Sequence, residues 1–314
     1  MARAKTTIWF TAYLLATSLL VLIAMEFAVR ALFPGINYQG VQQSLFVERK
    51  FNQTMGLKSN STGEIFGIDI NTDEHGFRKM IHPDNYDKSW LLLGDSVTFG
   101  VGIATELTFP QLIQNEFART KIWNTATVGY STLDYLNVVD VMLRKHNDIK
   151  KVVLAFCLND VYGNLSLNPT KTSVKEKLFS FLRSNSKLYL LIKKSFFDRS
   201  KTHALYDLGL YKDGNSDIRK HLNAITSIKS QLDESNIDFL VVILPYEYQL
   251  RVGELKAPQD LLSDFFAKHN IESIDLYEEF TELDSGALFL YGDPMHLSPL
   301  GHKVVAKKMV EILQ

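Results

Sequence analysis

Between residues 90 and 276 the chain repeatedly places a short, uninterrupted apolar run ahead of a stretch with helical spacing, and this alternation restricts the architecture more than any other feature. After their first residues, Lys151–Cys157 (KVVLAFC) and Asp238–Leu244 (DFLVVIL) show no polar alternation, and Trp90–Leu93 (WLLL) shows none at all. A strand covered on one face alternates apolar and polar side chains; a strand covered on both faces does not. Further strands are expected at Lys121–Thr127 and Ile274–Leu276. Helical spacing occupies Pro110–Arg119, Leu133–Lys145, Ile218–Ser235, Pro258–His269 and Pro299–Leu313. The pattern predicts an α/β fold, a three-layer α/β/α sandwich around a mostly parallel sheet of about five strands. Such sheets bind ligands beyond the carboxyl ends of their strands. Ser96, Gly129, Asn159 and the loop after the last strand occupy those positions.

The N-terminus adds a different element. Ile8–Met25 runs 18 residues without a charge, about 27 Å as a helix and close to a bilayer core. Arg3, Lys5 and the amino terminus precede it, and Glu26 and Arg30 follow. The positive-inside rule then gives a single-pass anchor with a cytoplasmic N-terminus and an exported (periplasmic or extracellular) body. A cleaved signal peptide has a shorter apolar region, and no clear A-x-A site stands before Glu26. A buried core helix fits poorly with basic flanks at the extreme terminus. The expected organisation is an anchor over 1–30, a polar connecting segment with a few short strands over 31–88, and the main domain over 89–314.

That domain carries a basic insert at about 161–216. Nine Lys and Arg residues between Lys171 and Lys201 are interleaved with Leu, Ile and Phe. The insert reads either as a pair of helices on the domain edge with a solvated basic face, or as a lid or membrane-surface contact drawn to anionic lipid. Over the whole chain the charge is balanced, with a net of -1, so no overall field recruits nucleic acid. The one cysteine, Cys157, rules out an intramolecular disulfide and a Cys-rich zinc site. No H-E-x-x-H or other clustered ligand motif points to a metal.

A serine hydroxyl becomes a useful nucleophile when a base, an acid behind that base and donors for the developing oxyanion surround it. Ser96 follows the first buried run in Gly94-Asp95-Ser96, where a sharp turn exposes the side chain and frees its own N–H. Near the C-terminus, Asp293 and His296 stand three apart, just before the helix that starts near Pro299. A turn at this spacing brings the carboxylate to the imidazole. Each pair alone also fits an ordinary turn aspartate and a loop histidine.

Taken together with Gly129 in Asn124–Thr132 and Asn159 in Cys157-Leu-Asn-Asp160, these residues form four ordered blocks, and over about residues 88–314 the chain resembles the SGNH, or GDSL-type, hydrolase family. The resemblance implies a flavodoxin-like sandwich, no metal and no organic cofactor. It implies catalytic roles for Ser96, Asp293 and His296, and oxyanion donors at Ser96, Gly129 and Asn159. The family's third block carries glycine two residues before its asparagine, where this chain has Cys157. Asp95, Asp160 and His302 read as structural. Asn71–Arg78 resembles segments that precede the first block in anchored bacterial members, and Arg78 reads as a surface residue rather than a substrate ligand.

The expected activity is therefore that of a serine esterase working through an acyl-enzyme on O-acyl groups, O-acetyl first, of a cell-surface glycan or a lipid. An O-acyltransferase would use the same residues. A membrane-anchored glycan-binding or assembly protein with an inherited site is the non-catalytic alternative. An α/β-hydrolase would need a G-x-S-x-G elbow, and Gly94-Asp-Ser96-Val-Thr98 lacks the second glycine.

Overall fold

The computed structural model describes residues 2–162, 173–212 and 215–314. A long helix, α1 (Ala2–Leu32), leads into two hairpins, β1 (Phe46–Phe51) with β2 (Thr54–Leu57) and β3 (Thr62–Ile65) with β4 (Ile68–Asn71). The sandwich then runs β5 (Lys88–Leu93), α2 (Ser96–Phe99), α3 (Phe109–Glu116), β6 (Thr120–Asn124), α4 (Thr132–Lys145) and β7 (Ile149–Cys157). The helices α5 (Val174–Asn185), α6 (Lys187–Phe196) and α7 (Arg199–Leu210) follow, then α8 (Ser216–Glu234), β8 (Asp238–Leu244), α9 (Glu247–Val252), α10 (Ala257–Lys268) and β9 (Glu272–Asp275). The chain closes with α11 (Tyr277–Thr281), α12 (Ser285–Leu288) and α13 (Pro299–Leu313).

Strands β6-β5-β7-β8-β9 lie side by side in that order, all paired in parallel. Counted along the sheet's own strands the order is 2-1-3-4-5, the flavodoxin-like doubly wound arrangement, which places its topological switch between β5 and β7. The apolar runs are buried on both faces: Leu154 and Val241 on one face, and Ala155 and Val242 on the other, have no exposed surface. Helices cover the two sides, α3 packing with α13 and α4 with α8. The sequence expectation extended the second strand to Thr127, but β6 stops at Asn124. There the Ala126 N–H donates to Asn124 Oδ1 (3.3 Å) and the side-chain amide reaches Thr98 O (3.4 Å), so an Asx turn ends the strand.

The hairpins pack over the carboxyl edge of the sheet. Leu45, Leu57, Ile65 and Ile70 share a small core with Phe99, Val101, Ala126 and Val128, and each buried aliphatic side chain there contributes about 1.5–3 kcal/mol. Tyr130 donates to Met55 O (2.6 Å) and Thr54 to Asp134 Oδ1 (2.8 Å), fixing the first hairpin to α4.

Arg78 corrects the surface expectation: it is only 2% exposed. Its guanidinium donates to Phe99 O (2.8 Å), Gly100 O (2.6 Å), Ile103 O (2.5 Å) and Thr105 Oγ1 (3.2 Å). The end of α2 offers carbonyls with no helical partner, and Arg78 satisfies them in the interior.

The insert holds three helices among its described residues rather than two, and the last is not confined to the edge: Ala204 and Asp207 of α7 have no exposed surface. Its first two helices meet α1. Glu26 accepts from Ser186 Oγ (2.8 Å) and from the N–H groups of Lys187 and Leu188 (3.0 Å each), acting as a carboxylate cap on the N-terminus of α6 supplied from another helix. Arg30 bonds Glu26 (2.8 Å) and Asn185 O (3.0 Å), while Val29 and Ile36 pack with Leu188 and Leu190. Within α1, Thr7–Leu32 is long and apolar enough to cross a membrane, and its most apolar window is not covered by the rest of the protein.

Candidate active site

The turn after β5 holds Ser96. A Cβ at Gly94 would overlap the Thr98 side chain, so only glycine lets α2 start so close to the strand end. Asp95 caps this short helix by accepting from Val97 N (2.8 Å). Ser96 is the first helical residue, and its backbone N–H has no acceptor among the described residues.

The second half of the site is the loop between α12 and α13. Leu290 N–H donates to His296 O (2.8 Å), and Phe289 bridges Leu297, so the ends of the loop are tied together. Within it, Asp293 Oδ1 accepts from Met295 N (3.1 Å), His296 N (2.9 Å) and His296 Nδ1 (2.9 Å). The opposite ring nitrogen, Nε2, lies 2.8 Å from Ser96 Oγ. An ionised carboxylate can only accept, so Nδ1 carries the proton and Nε2 is left to accept from the serine. Ser96 and His296 each keep 8% of their surface exposed, so both are reached from solvent.

Burial alone would raise the Asp293 carboxyl, but the charge and hydrogen bonds of His296, with Arg199 Nη1 3.9 Å from Oδ2, hold it well below the usual carboxylate range. A carboxyl depressed in the folded state adds stability above its unfolded value, near 3.8, and loses it as pH falls below that value. Asp293→Asn is accordingly expected to lower the melting temperature at pH 7, with a difference from the parent that starts to shrink only below about pH 3.8 and is still largely present at pH 3. Thermal melts at the two pH values measure this.

The loops after β6, β7 and β8 supply the remaining residues. The loop after β6 contains Gly129 at φ 82°, a conformation open to glycine, and its N–H has no protein acceptor among the described residues. The turn after β7 contains Asn159, whose amide donates to Asp95 Oδ2 (3.0 Å) and retains a second N–H. Its carbonyl lies 3.4 Å from the Tyr246 hydroxyl, itself 2.6 Å from Asp207 Oδ2 on α7. Asp160 orders this turn by accepting from Cys157 N (3.0 Å). Cys157 is buried at the end of β7, and burial pushes its thiol well above the usual range. His302 is buried too and accepts from Phe109 N (3.1 Å); burial, with Arg78 nearby, pulls its imidazole down to about 3, so it stays neutral.

The model of the GDSL-like lipase/acylhydrolase family matches residues 92–304. The chain belongs to that family. The match begins inside β5 and ends inside α13, so Ser96, Gly129, Asn159, Asp293 and His296 all lie within the family's extent. Solved structures with a similar fold include a lipolytic G-D-S-L family protein from Veillonella parvula (13% identity, 72% of this chain, 97% of that one, TM-score 0.45). Others are a lipase/acylhydrolase from Enterococcus faecalis (16%, 72%, 95%, 0.45) and an acetylxylan esterase from Geobacillus stearothermophilus (14%, 72%, 94%, 0.45). No curated protein sequence matches the chain.

Members of this family are read from their blocks, and sequence reasoning here missed what lies between them. Phe66, at the tip of the β3–β4 hairpin, packs edge-on against the His296 ring (centroids 5.4 Å apart, planes at 72°). Arg199, Asp207 and Tyr246 support Asp293 and Asn159 from the insert and from the turn after β8. None of the four carried a local signal, since Phe-Gly is not one of the pairs that mark a two-residue hairpin loop. Among the described residues no group of three or more His, Cys, Asp or Glu could hold a metal ion.

Proposed function

We propose that the protein is a membrane-anchored serine esterase that removes O-acyl groups, O-acetyl first, from a cell-surface glycan, with a lipid ester as the second candidate substrate. The observation that carries this reading is the continuous relay from Asp293 through His296 to Ser96, with contacts of 2.9 and 2.8 Å. His296 takes the Ser96 proton as Oγ attacks the acyl carbon, and the ionised Asp293 stabilises the imidazolium. The oxyanion falls to the N–H groups of Ser96 and Gly129 and the free N–H of Asn159. His296 then protonates the leaving alcohol. Water, deprotonated by the same imidazole, attacks the acyl-enzyme and releases the acid and the serine. An acceptor hydroxyl in place of water would make the same site a transferase.

A fluorophosphonate probe tests the reading. Labelling of the parent that disappears in Ser96→Ala supports it, whereas an intact, folded parent that takes no label supports a binding protein with an inherited site. Asn159→Ala removes one oxyanion donor and is expected to lower kcat by about 10²–10³-fold, measured on any ester the parent cleaves.

The anchor reading rests on the uncovered apolar stretch of α1 and on Arg3 and Lys5 ahead of it, which orient the domain outward. The insert extends it. Phe181 on α5 and Phe196 on α6 are 62% and 77% exposed, amid lysines, on helices clamped to the end of α1. A chain comprising residues 26–314 is expected to sediment with anionic vesicles, and Phe181→Ser with Phe196→Ser to reduce the bound fraction severalfold. Equal sedimentation with neutral vesicles, or none, counts against a membrane-surface role for the insert.

A further inference from the structure

Phe66 and Gly67 form the two-residue turn between Ile65 and Ile68, which pair directly. Both have positive φ, 52° and 75°, a type I′ turn whose favoured pair is Asn-Gly because asparagine tolerates the left-handed region. A phenylalanine in that first position is strained, and strain at a single residue persists where the surroundings hold it in place. Here Phe66 N–H donates to Gly40 O (2.7 Å), and a Cβ at Gly67 would meet the Tyr38 ring at 3.0 Å. The ring packs, partly buried, against the small core under the hairpins, and it also reaches the site. One side of the ring meets His296. Phe66 also lines a cavity of about 180 Å³ with Asn37, Tyr38, Lys187 and the aliphatic Ile36 and Ile68.

We infer that Phe66 is a substrate-contacting residue, and that the cavity it shares with Tyr38, Asn37 and Lys187 receives the sugar on the alcohol side of the scissile ester. This rests on the esterase reading above. His296 hands its proton to the leaving alcohol, so the group attached to that oxygen must lie on the His296 side of Ser96, where the Phe66 ring stands. The lining suits a sugar better than an acyl chain. Phe66 supplies an apolar ring for the C–H side of a pyranose, while the Tyr38 ring already carries the Arg30 guanidinium and the Lys187 ammonium, each 5.8 Å from its centre. Lys187 gives one N–H to Pro34 O (3.0 Å) and Asn37 one to Gly102 O (2.6 Å), and each keeps further donors for hydroxyls. A fatty acyl chain would have to strip water from both polar heads.

Phe66→Asn separates function from folding, because asparagine suits the turn while deleting the ring. Melting temperature and acetate release are measured for parent and variant on an acetylated methyl glucoside and on ethyl acetate, whose alcohol is too small to reach the cavity. The expected result is a variant that still melts cooperatively, the turn preference of asparagine offsetting the packing lost with the ring, and a fall of about tenfold or more in the kcat/KM ratio of sugar ester over ethyl acetate, carried mainly by KM. Equal losses on both esters, no loss on either, or a parent that cleaves ethyl acetate but no sugar ester overturns the inference while leaving the esterase intact. A parent that cleaves neither and takes no fluorophosphonate label overturns the esterase reading itself.

Discussion

Ser96→Ala is expected to lower ester turnover by about 10³-fold or more, with the folded state almost unchanged. The size follows from the way the site works as a unit. Without Oγ there is no acyl-enzyme, and His296 and Asp293 have nothing to activate except stray water. What survives is the anion-holding pocket, which Ser96→Ala leaves intact because the donor at position 96 is a backbone N–H. Stability should hardly move. The lost hydroxyl contacts His296 Nε2 at 2.8 Å and Asp95 Oδ2 at 3.3 Å, but Asp95 keeps Val97 N and the Asn159 amide, and the imidazole retains an opening to water. Initial rates on a chromogenic acetate, beside a thermal melt, give both numbers. Turnover within tenfold of the parent would remove Ser96 from the reaction.

Arg78→Met is expected to be the most damaging substitution for stability, costing about 3–5 kcal/mol. The side chain is buried, and three carbonyls at and beyond the end of α2 depend on it. Methionine fills similar space but leaves those acceptors unpaired in the interior, where each costs about 1–3 kcal/mol. Burial, partly offset by Glu106, pulls the guanidinium down to about 10, so it remains charged at neutral pH. Arg78→Lys should recover only part of the loss, since one ammonium cannot reproduce the planar fork that meets Phe99, Gly100 and Ile103 together. Urea unfolding of the three proteins ranks them. Arg78→Met within about 1 kcal/mol of the parent would mean the carbonyls find water instead.

These two predictions also mark what could be read from the chain directly. Ser96, Asp293 and His296 were legible because their signals are local: an apolar run ending in Gly-Asp-Ser, and an Asp-x-x-His spacing that one turn can close. The three central strands were legible for the same reason, since WLLL, KVVLAFC and DFLVVIL lack the polar alternation of a strand covered on one face, whereas the two edge strands, β6 and β9, were found with shifted ends. Arg78 was misread because its partners are backbone carbonyls 21 to 25 residues away, and a carbonyl leaves no mark in a sequence. Asp207 reaches Tyr246 across 39 residues, inside a segment whose basic composition suggested only a surface. A charged residue is usually exposed, and the exceptions are set by tertiary contacts that composition does not record.

The Glu26 carboxylate closing the first turn of α6 bears on how the protein can be trimmed for work in solution. A chain begun at Glu26 sheds the greasy stretch and keeps the three donors satisfied. One begun at Pro34 leaves Ser186 as the sole plug for that helix end, and the strap that carries Arg199 toward Asp293 loses its fixed hinge. Soluble versions cut eight residues apart could thus differ in activity although neither cut comes near the nucleophile.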